Sequence, residues 1–183
     1  MGTSLWSGIM AGMHDWPAPG SAGLPTPELV AAWVTLGTVP SERIPLWAAH
    51  WLVWGYDGEA LRALAGLGGA EPYEVHDLLP AALADCRAAI PDSDAAAAQV
   101  VFAQLARMQA DGRATERWVL GKVCEIVARS DYSDSVIELP LGQVFGLEDE
   151  WAAGWGRPKG QLVREIQAAC RAQLAAGEAT TDC

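Results

Sequence analysis

Recurrent start and stop signals for helices constrain the fold of this chain more than any other feature. Thr26 can cap a helix, Pro27 has the fixed φ suited to a first helical position, and Gly37 follows the apolar stretch between them. The pattern returns when Pro45 opens a second apolar stretch that Gly55 stops. We therefore expect helix after helix from Thr26 onward and almost no strand.

Three of the predicted helices have ends or interruptions that a structure can check. Asp57 is expected to cap the third helix. The fourth covers residues 72–88 and contains Pro80, which should kink it or break it into two short helices. The last is expected to begin at Pro158 and to close at Gly177.

The second half of the chain contains two further helices and one ambiguous stretch. Residues 94–110 carry apolar side chains at helical spacing, and Thr115 can cap the helix that follows. Between Ser130 and Gly156 the apolar runs are short and are separated by Asp, Ser, Pro and Gly, which predicts short helices and turns. A small hairpin over residues 136–144 is the alternative, although Pro140 disfavours a central strand.

Together these signals predict an all-α fold, an irregular multi-helix bundle of about seven helices, and they leave open two packed helical subdomains. We divide the chain into a flexible N-terminal segment (1–24), an N-terminal helical subdomain (25–91), a C-terminal helical subdomain (92–177) and a tail (178–183). The N-terminal segment is rich in Gly, Pro and Ser, and its scattered apolar side chains cannot bury themselves alone.

Net charge narrows the class of partner. Twenty-three acidic residues against twelve basic ones give a charge of -11 at pH 7, which repels a phosphate backbone and attracts a basic protein. We expect no nucleic-acid partner. The N-terminus has neither a basic n-region nor a long apolar run, so we also expect no signal peptide, no membrane contact and a cytoplasmic protein.

The cysteines and histidines do not form a ligand pattern. The four cysteines are far apart in sequence, no Cys-x-x-Cys pair occurs, and no Glu-x-x-His pair could build a helical di-iron site. Buried free cysteine behaves as a small hydrophobic residue. We therefore expect no metal and no cofactor, and nothing in the sequence determines the oligomeric state.

A tryptophan-rich stretch is the best candidate for a ligand site. Trp47, Trp51 and Trp54 lie at i, i+4 and i+7, so on a helix the three indoles would share one face with His50 beside Trp47. Together with Tyr56 they could line a pocket for a small molecule, with His50 as the best candidate for a catalytic acid or base. The alternative is that the indoles belong to the core, which is the commoner use of such a stripe.

An acidic run, Glu148-Asp149-Glu150, is the candidate surface for a basic partner. Three acids ahead of Trp151 also suit the positive end of a helix dipole, which is the competing interpretation.

Arginine outnumbers lysine ten to two, and Ala, Gly and Trp are abundant. With the stretches 27–33, 44–52 and 151–158, this bias resembles small helical proteins of high-GC actinobacteria. The resemblance implies no named family and no activity.

Three functions from different classes are compatible with the sequence, and they leave open whether the chain is an enzyme. The first is a non-enzymatic, acidic protein-interaction module, such as an inhibitor or immunity-like protein for a basic partner. The alternative is a small-molecule-binding helical protein or small enzyme, with a tryptophan-lined pocket and His50 as acid or base. A helical scaffold with a homodimer seam is a third possibility.

Overall fold

A computed structural model describes residues 24–67, 72–153 and 156–181, with side chains as far as residue 177. Within these ranges the chain forms nine α-helices and no strand, which confirms the all-α prediction. The helices are α1 (Pro27–Thr35), α2 (Ile44–Val53), α3 (Glu59–Ala65), α4 (Pro72–Asp85), α5 (Asp94–Ala110), α6 (Glu116–Arg129), α7 (Asp134–Ile137), α8 (Leu147–Ala153) and α9 (Lys159–Thr181).

The count is nine rather than about seven because the ambiguous stretch contains two short helices, α7 and α8. Single 3₁₀ turns cover Ser41–Arg43 and Gly142–Val144. The alternative of a hairpin over residues 136–144 is wrong, since this stretch holds helix α7 and the second 3₁₀ turn. Nearly all of the predicted N-terminal segment, residues 1–23, lies outside the described residues.

Local capping chemistry was predicted correctly at two helix starts. The Thr26 hydroxyl accepts a hydrogen bond from the Leu29 amide at 3.3 Å, and Thr115 accepts one from the Trp118 amide at the same distance. Each bond satisfies one amide that the first turn leaves without a helical partner. Gly37 follows α1 with φ +62°, the left-handed conformation that favours glycine after a helix.

The predicted cap of α3 is wrong. Asp57 forms an ion pair with Arg62, and the N-cap position is Gly58. The amide of Leu61 instead donates to the carboxylate of Asp85 at 3.0 Å, so the acceptor comes from the end of α4. Because α3 and α4 pack closely, a residue distant in sequence replaces the local cap.

Two helices also run through residues expected to interrupt them. The predicted break at Pro80 is wrong, because α4 is continuous from Pro72 to Asp85. Pro80 is exposed, as is His76, whose carbonyl loses its helical donor, so water can satisfy that oxygen. Gly177 does not close α9, which continues to Thr181, because good helix formers surround the glycine.

Contacts divide the described residues into two units, residues 24–93 and residues 94–181. In the first unit α3 packs against α4 and α2, and the residues between them are fully buried, among them Ile44, Trp51, Leu61, Leu64, Leu79 and Leu83. The division of the chain into subdomains 25–91 and 92–177 stays a prediction.

In the second unit α5 packs along α9 and α6. Its core includes Val101, Leu105 and Met108, the apolar stripe that the helical spacing of α5 predicts. A buried amide, Gln173 on α9, is also part of this core. Its oxygen accepts from the Leu141 amide at 3.1 Å, and its nitrogen donates to the Gln99 side chain at 3.0 Å. The side chain therefore ties the turn near Gly142 to two helices.

None of the helices that the structure describes is both long enough and apolar enough to cross a bilayer.

Candidate functional site

The three tryptophans at α2 differ in burial. Trp47 is buried and packs on Trp33 with ring centroids 5.7 Å apart. Trp51 is fully buried, and its indole nitrogen donates to the Pro25 carbonyl at 2.9 Å. Trp54 follows the helix and is 44% exposed. Two of the three indoles therefore belong to the core of the first unit, and of the three only Trp54 is substantially exposed.

His50 and Tyr56 belong to different surroundings. His50 is partly exposed, and within the described residues its ring makes no hydrogen bond. Tyr56 is also partly exposed, and burial raises the pKa of its hydroxyl, with smaller contributions from the negative charge of Glu28 and from Cys86. Tyr56 is therefore within electrostatic reach of Glu28 in α1 and of Cys86, which follows α4. The role of these side chains in ligand binding or catalysis stays a prediction.

The side of α2 that faces away from the core is apolar. Leu46 is 60% exposed and Val53 is 81% exposed, with His50 between them at helical spacing and Trp54 at the end. We call these four residues the α2 outer face. Single exposed apolar residues are ordinary, but a helix that is hydrophobic all round is normally covered on every side.

The predicted acidic contact surface is largely engaged within the protein. Glu148 and Glu150 lie in the first turn of α8. Glu148 receives two hydrogen bonds from Arg117, whose guanidinium also lies 5.9 Å from the ring centre of Trp151. Such a bidentate ion pair orients the guanidinium and the carboxylate toward each other rather than toward a partner protein.

Glu150 is held in the same way by Arg157. Its Oε2 accepts from the backbone amide and from the Nε of Arg157, each at 3.0 Å. Hydrogen bonds from Arg157 lower the pKa of Glu150 to about 2. Asp149, between the two glutamates, is exposed. Partner binding by Glu148, Asp149 and Glu150 stays a prediction, and these pairs leave Asp149 as its most accessible carboxylate.

Charge is distributed unevenly along the chain. Residues 24–93 carry nine acidic side chains against three basic ones, whereas residues 94–183 carry thirteen against nine. The acids of the first range are Glu28, Glu42, Asp57, Glu59, Glu71, Glu74, Asp77, Asp85 and Asp92, and the bases are Arg43, Arg62 and Arg87. Most of the negative field of the folded chain therefore comes from its first unit.

A shallow groove of about 500 Å³ lies in the second unit, between α9 and residues 140–147. Its lining residues are Pro140, Gln143, Val144, Leu147, Glu165, Ala168, Ala169 and Ala172. Sequence analysis missed this groove. The signal was the cluster of alanines on one side of α9, since small side chains leave space beside a helix.

A serine–histidine contact was also missed, because its members are 35 residues apart. The Ser41 hydroxyl and the His76 Nε2 atom lie 3.0 Å apart on the exposed surface of the first unit. A nucleophile and its base need a third group that orients the base and a place for substrate. Among the described residues no carboxylate bonds to this ring, so the contact alone makes no catalytic set.

The described thiols are free and poorly ionised. Burial raises the pKa of Cys86 and of Cys170 to about 11, and burial together with Glu148 raises that of Cys124 to about 12. No group of three or more His, Cys, Asp or Glu side chains that could hold a metal ion occurs in the part of the chain that the structure describes.

Comparison with known protein families, curated proteins and solved structures finds no match to this chain. The resemblance to actinobacterial proteins therefore stays an expectation.

Proposed function

We propose that this chain is a non-catalytic binding protein, such as an inhibitor or immunity-like protein, and that its partner is a basic protein. The charge of residues 24–93 carries the proposal, with nine acidic side chains against three basic ones. Glu28, Glu59, Glu74 and Asp77 are among the exposed acids of this unit. Such a field attracts a positively charged protein and speeds its association.

The arrangement of polar side chains also favours binding over catalysis. His50 has no hydrogen-bonding partner among the described residues, and the Ser41–His76 contact lies on an exposed surface. Two acids of the predicted contact run, Glu148 and Glu150, are paired with arginines of the same unit. These pairs orient the two glutamates toward their own unit, whereas the exposed acids of the first unit can supply an attractive field.

The first experiment identifies a partner and then measures its affinity at two salt concentrations. A photo-reactive amino acid at Glu74 would cross-link the full chain to its neighbour in cells, and mass spectrometry would identify the adduct. Calorimetry with the purified pair should show an affinity that falls about tenfold or more between about 0.05 M and about 0.5 M salt. An acidic partner, or an affinity that salt does not change, would contradict the proposal.

A matched pair of variants then locates the attractive field. Glu74→Lys/Asp77→Lys reverses two exposed charges of the first unit, and Glu138→Lys/Asp149→Lys reverses two exposed charges of the second. Both change the net charge equally, so a difference in affinity reports position. We expect the first variant to weaken binding more. If the second did, the contact would instead involve the acidic run at residues 148–150.

The groove beside α9 favours a second candidate function, the binding of an apolar small molecule. Its walls are mainly alanine, valine, leucine and proline side chains. Ala169→Trp would fill the groove, whereas Ala175→Trp places the same side chain at an exposed position of α9 outside the lining. A metabolite that raises the melting temperature of the wild type and of Ala175→Trp, but not of Ala169→Trp, would support this function. Equal shifts in all three proteins would exclude the groove.

A further inference from the structure

No described residue covers the α2 outer face as fully as its apolar composition calls for. Helix α2 is hydrophobic all round and packs against α3, α4 and Trp33 of α1. Leu46, Val53 and Trp54 nevertheless remain substantially exposed. The only titratable side chain on this helix is His50. The face is therefore an apolar strip within a strongly acidic unit.

We propose that the α2 outer face binds one amphipathic helix of the partner, with apolar residues along one side and lysine or arginine along its flanks. This inference rests on the proposed function, because it names the surface through which a basic partner would be held. Geometry favours the helical form of the bound element, and charge favours its basic flanks.

Geometry favours a helix as the bound element. Leu46, His50 and Val53 lie at i, i+4 and i+7, which forms a ridge along the ten residues of α2, about 15 Å in length. Ridges of this kind fit between the side chains of another helix. Because the backbone groups of a helix are already bonded to each other, α2 offers no edge to which an extended strand could be added.

Charge favours a basic helix over a second copy of this chain. Glu42 and Arg43 precede α2, and Asp57 and Glu59 follow it, so acids outnumber bases beside the ends of the strip in sequence. A second copy would bring another net charge of -11 to the same place, and like charges oppose that association. Lysine and arginine beside an apolar stripe would meet complementary charges while the stripe covers Leu46 and Val53.

The probes are two synthetic peptides of about 18 residues. Both have leucines at helical spacing, and all remaining positions are lysine in one peptide and glutamate in the other. The full-length protein is titrated with each, and binding is followed by calorimetry. We expect the lysine peptide to bind and the glutamate peptide to bind at least about tenfold more weakly. Equal binding of the two peptides would overturn the inference that the bound helix has basic flanks.

Leu46→Asp and Val53→Asp place a charge on the α2 outer face, and Tyr73→Asp is the matched control. Tyr73 is also an exposed apolar residue of the first unit, at 86%, and like Leu46 it lies in the first turn of its helix. All three variants make the protein more negative, so a purely electrostatic attraction would strengthen equally in each. Instead we expect the lysine peptide to bind about tenfold more weakly to the two α2 variants and no more weakly to Tyr73→Asp.

Each result separates this inference from the proposed function. If the lysine peptide binds the wild type and all three variants alike, the α2 outer face is not the contact surface, although a basic partner can still exist. If neither peptide binds the wild type, the inference fails without reference to the partner found by cross-linking. Circular dichroism of each variant, compared with the wild type, shows whether weaker binding comes from unfolding of the protein or from the changed surface of a folded protein.

Discussion

At the scale of single residues, the contact between Gly58 and Asp85 decides how α3 begins. The Asp85 carboxylate accepts from the Leu61 amide, and it reaches this position because Gly58 has no side chain. A methyl group at Gly58 would overlap the carboxyl group of Asp85. The φ of Gly58 is 169°, which any residue adopts, so the requirement for glycine is steric rather than conformational.

Gly58→Ala should therefore destabilise the protein. We expect the free energy of unfolding to fall by about 1–3 kcal/mol, because the added methyl group displaces the cap. Urea denaturation followed by tryptophan fluorescence measures the loss. Gly66→Ala is the control, since the nearest atom to its new methyl group would be 3.4 Å away and its φ of -82° suits alanine. Equal stability of the two variants would show that the contact is not tight.

Sequence could predict only the caps that are local. Thr26 and Thr115 bond to amides three residues ahead, so the pattern is visible in a short window. Asp85 caps a helix 24 residues earlier, and the Arg117–Glu148 pair spans 31 residues. Such partners depend on how helices pack, and their residue types alone do not specify them.

At the scale of elements, helix α2 shows why sequence alone could not tell which of its side chains are buried. All of its faces are apolar, so its sequence does not indicate which face the neighbouring helices cover. Packing within the first unit, including that of Trp47 on Trp33, buried Trp47 and Trp51 and left Leu46 and Val53 exposed. The helix itself, in contrast, was predicted correctly from its spacing and its terminal proline and glycine.

Gln173 connects elements of the second unit, and its removal should loosen them. Gln173→Leu keeps the size of the side chain but leaves the buried Leu141 amide without its acceptor. We expect a loss of about 1–3 kcal/mol in the free energy of unfolding. Hydrogen exchange at Leu141 should accelerate as well. Gln143→Leu is the control because its side chain is exposed, and there we expect a change within about 0.5 kcal/mol. Unchanged exchange at Leu141 in Gln173→Leu would contradict the assignment.

At the scale of the whole molecule, acid stability should depend on the Glu150–Arg157 pair. The pKa of Glu150 is about 2 in the folded protein, compared with an ordinary value of 4.5. The unfolded chain therefore takes up this proton first as pH falls. The stabilisation is complete above about pH 4.5 and is lost between about pH 4.5 and 2.

Glu150→Gln should make thermal stability less sensitive to pH in that window. We expect its melting temperature to lie below that of the wild type at pH 6 and to approach it near pH 2.5. Arg157→Gln should change the profile in the same direction, because it removes the other member of the pair. Profiles parallel to that of the wild type would show that the pair contributes nothing to acid stability.

The rate at which the buried thiols are alkylated would also report how often each unit opens. Cys86 belongs to the first unit and Cys170 to the second, and both are buried and protonated at neutral pH. An alkylating reagent can reach them only when the surrounding helices separate. Mass spectrometry of the labelled peptides would then time the two openings in one sample, and different labelling rates would show that half of this molecule can come apart while the other half stays closed.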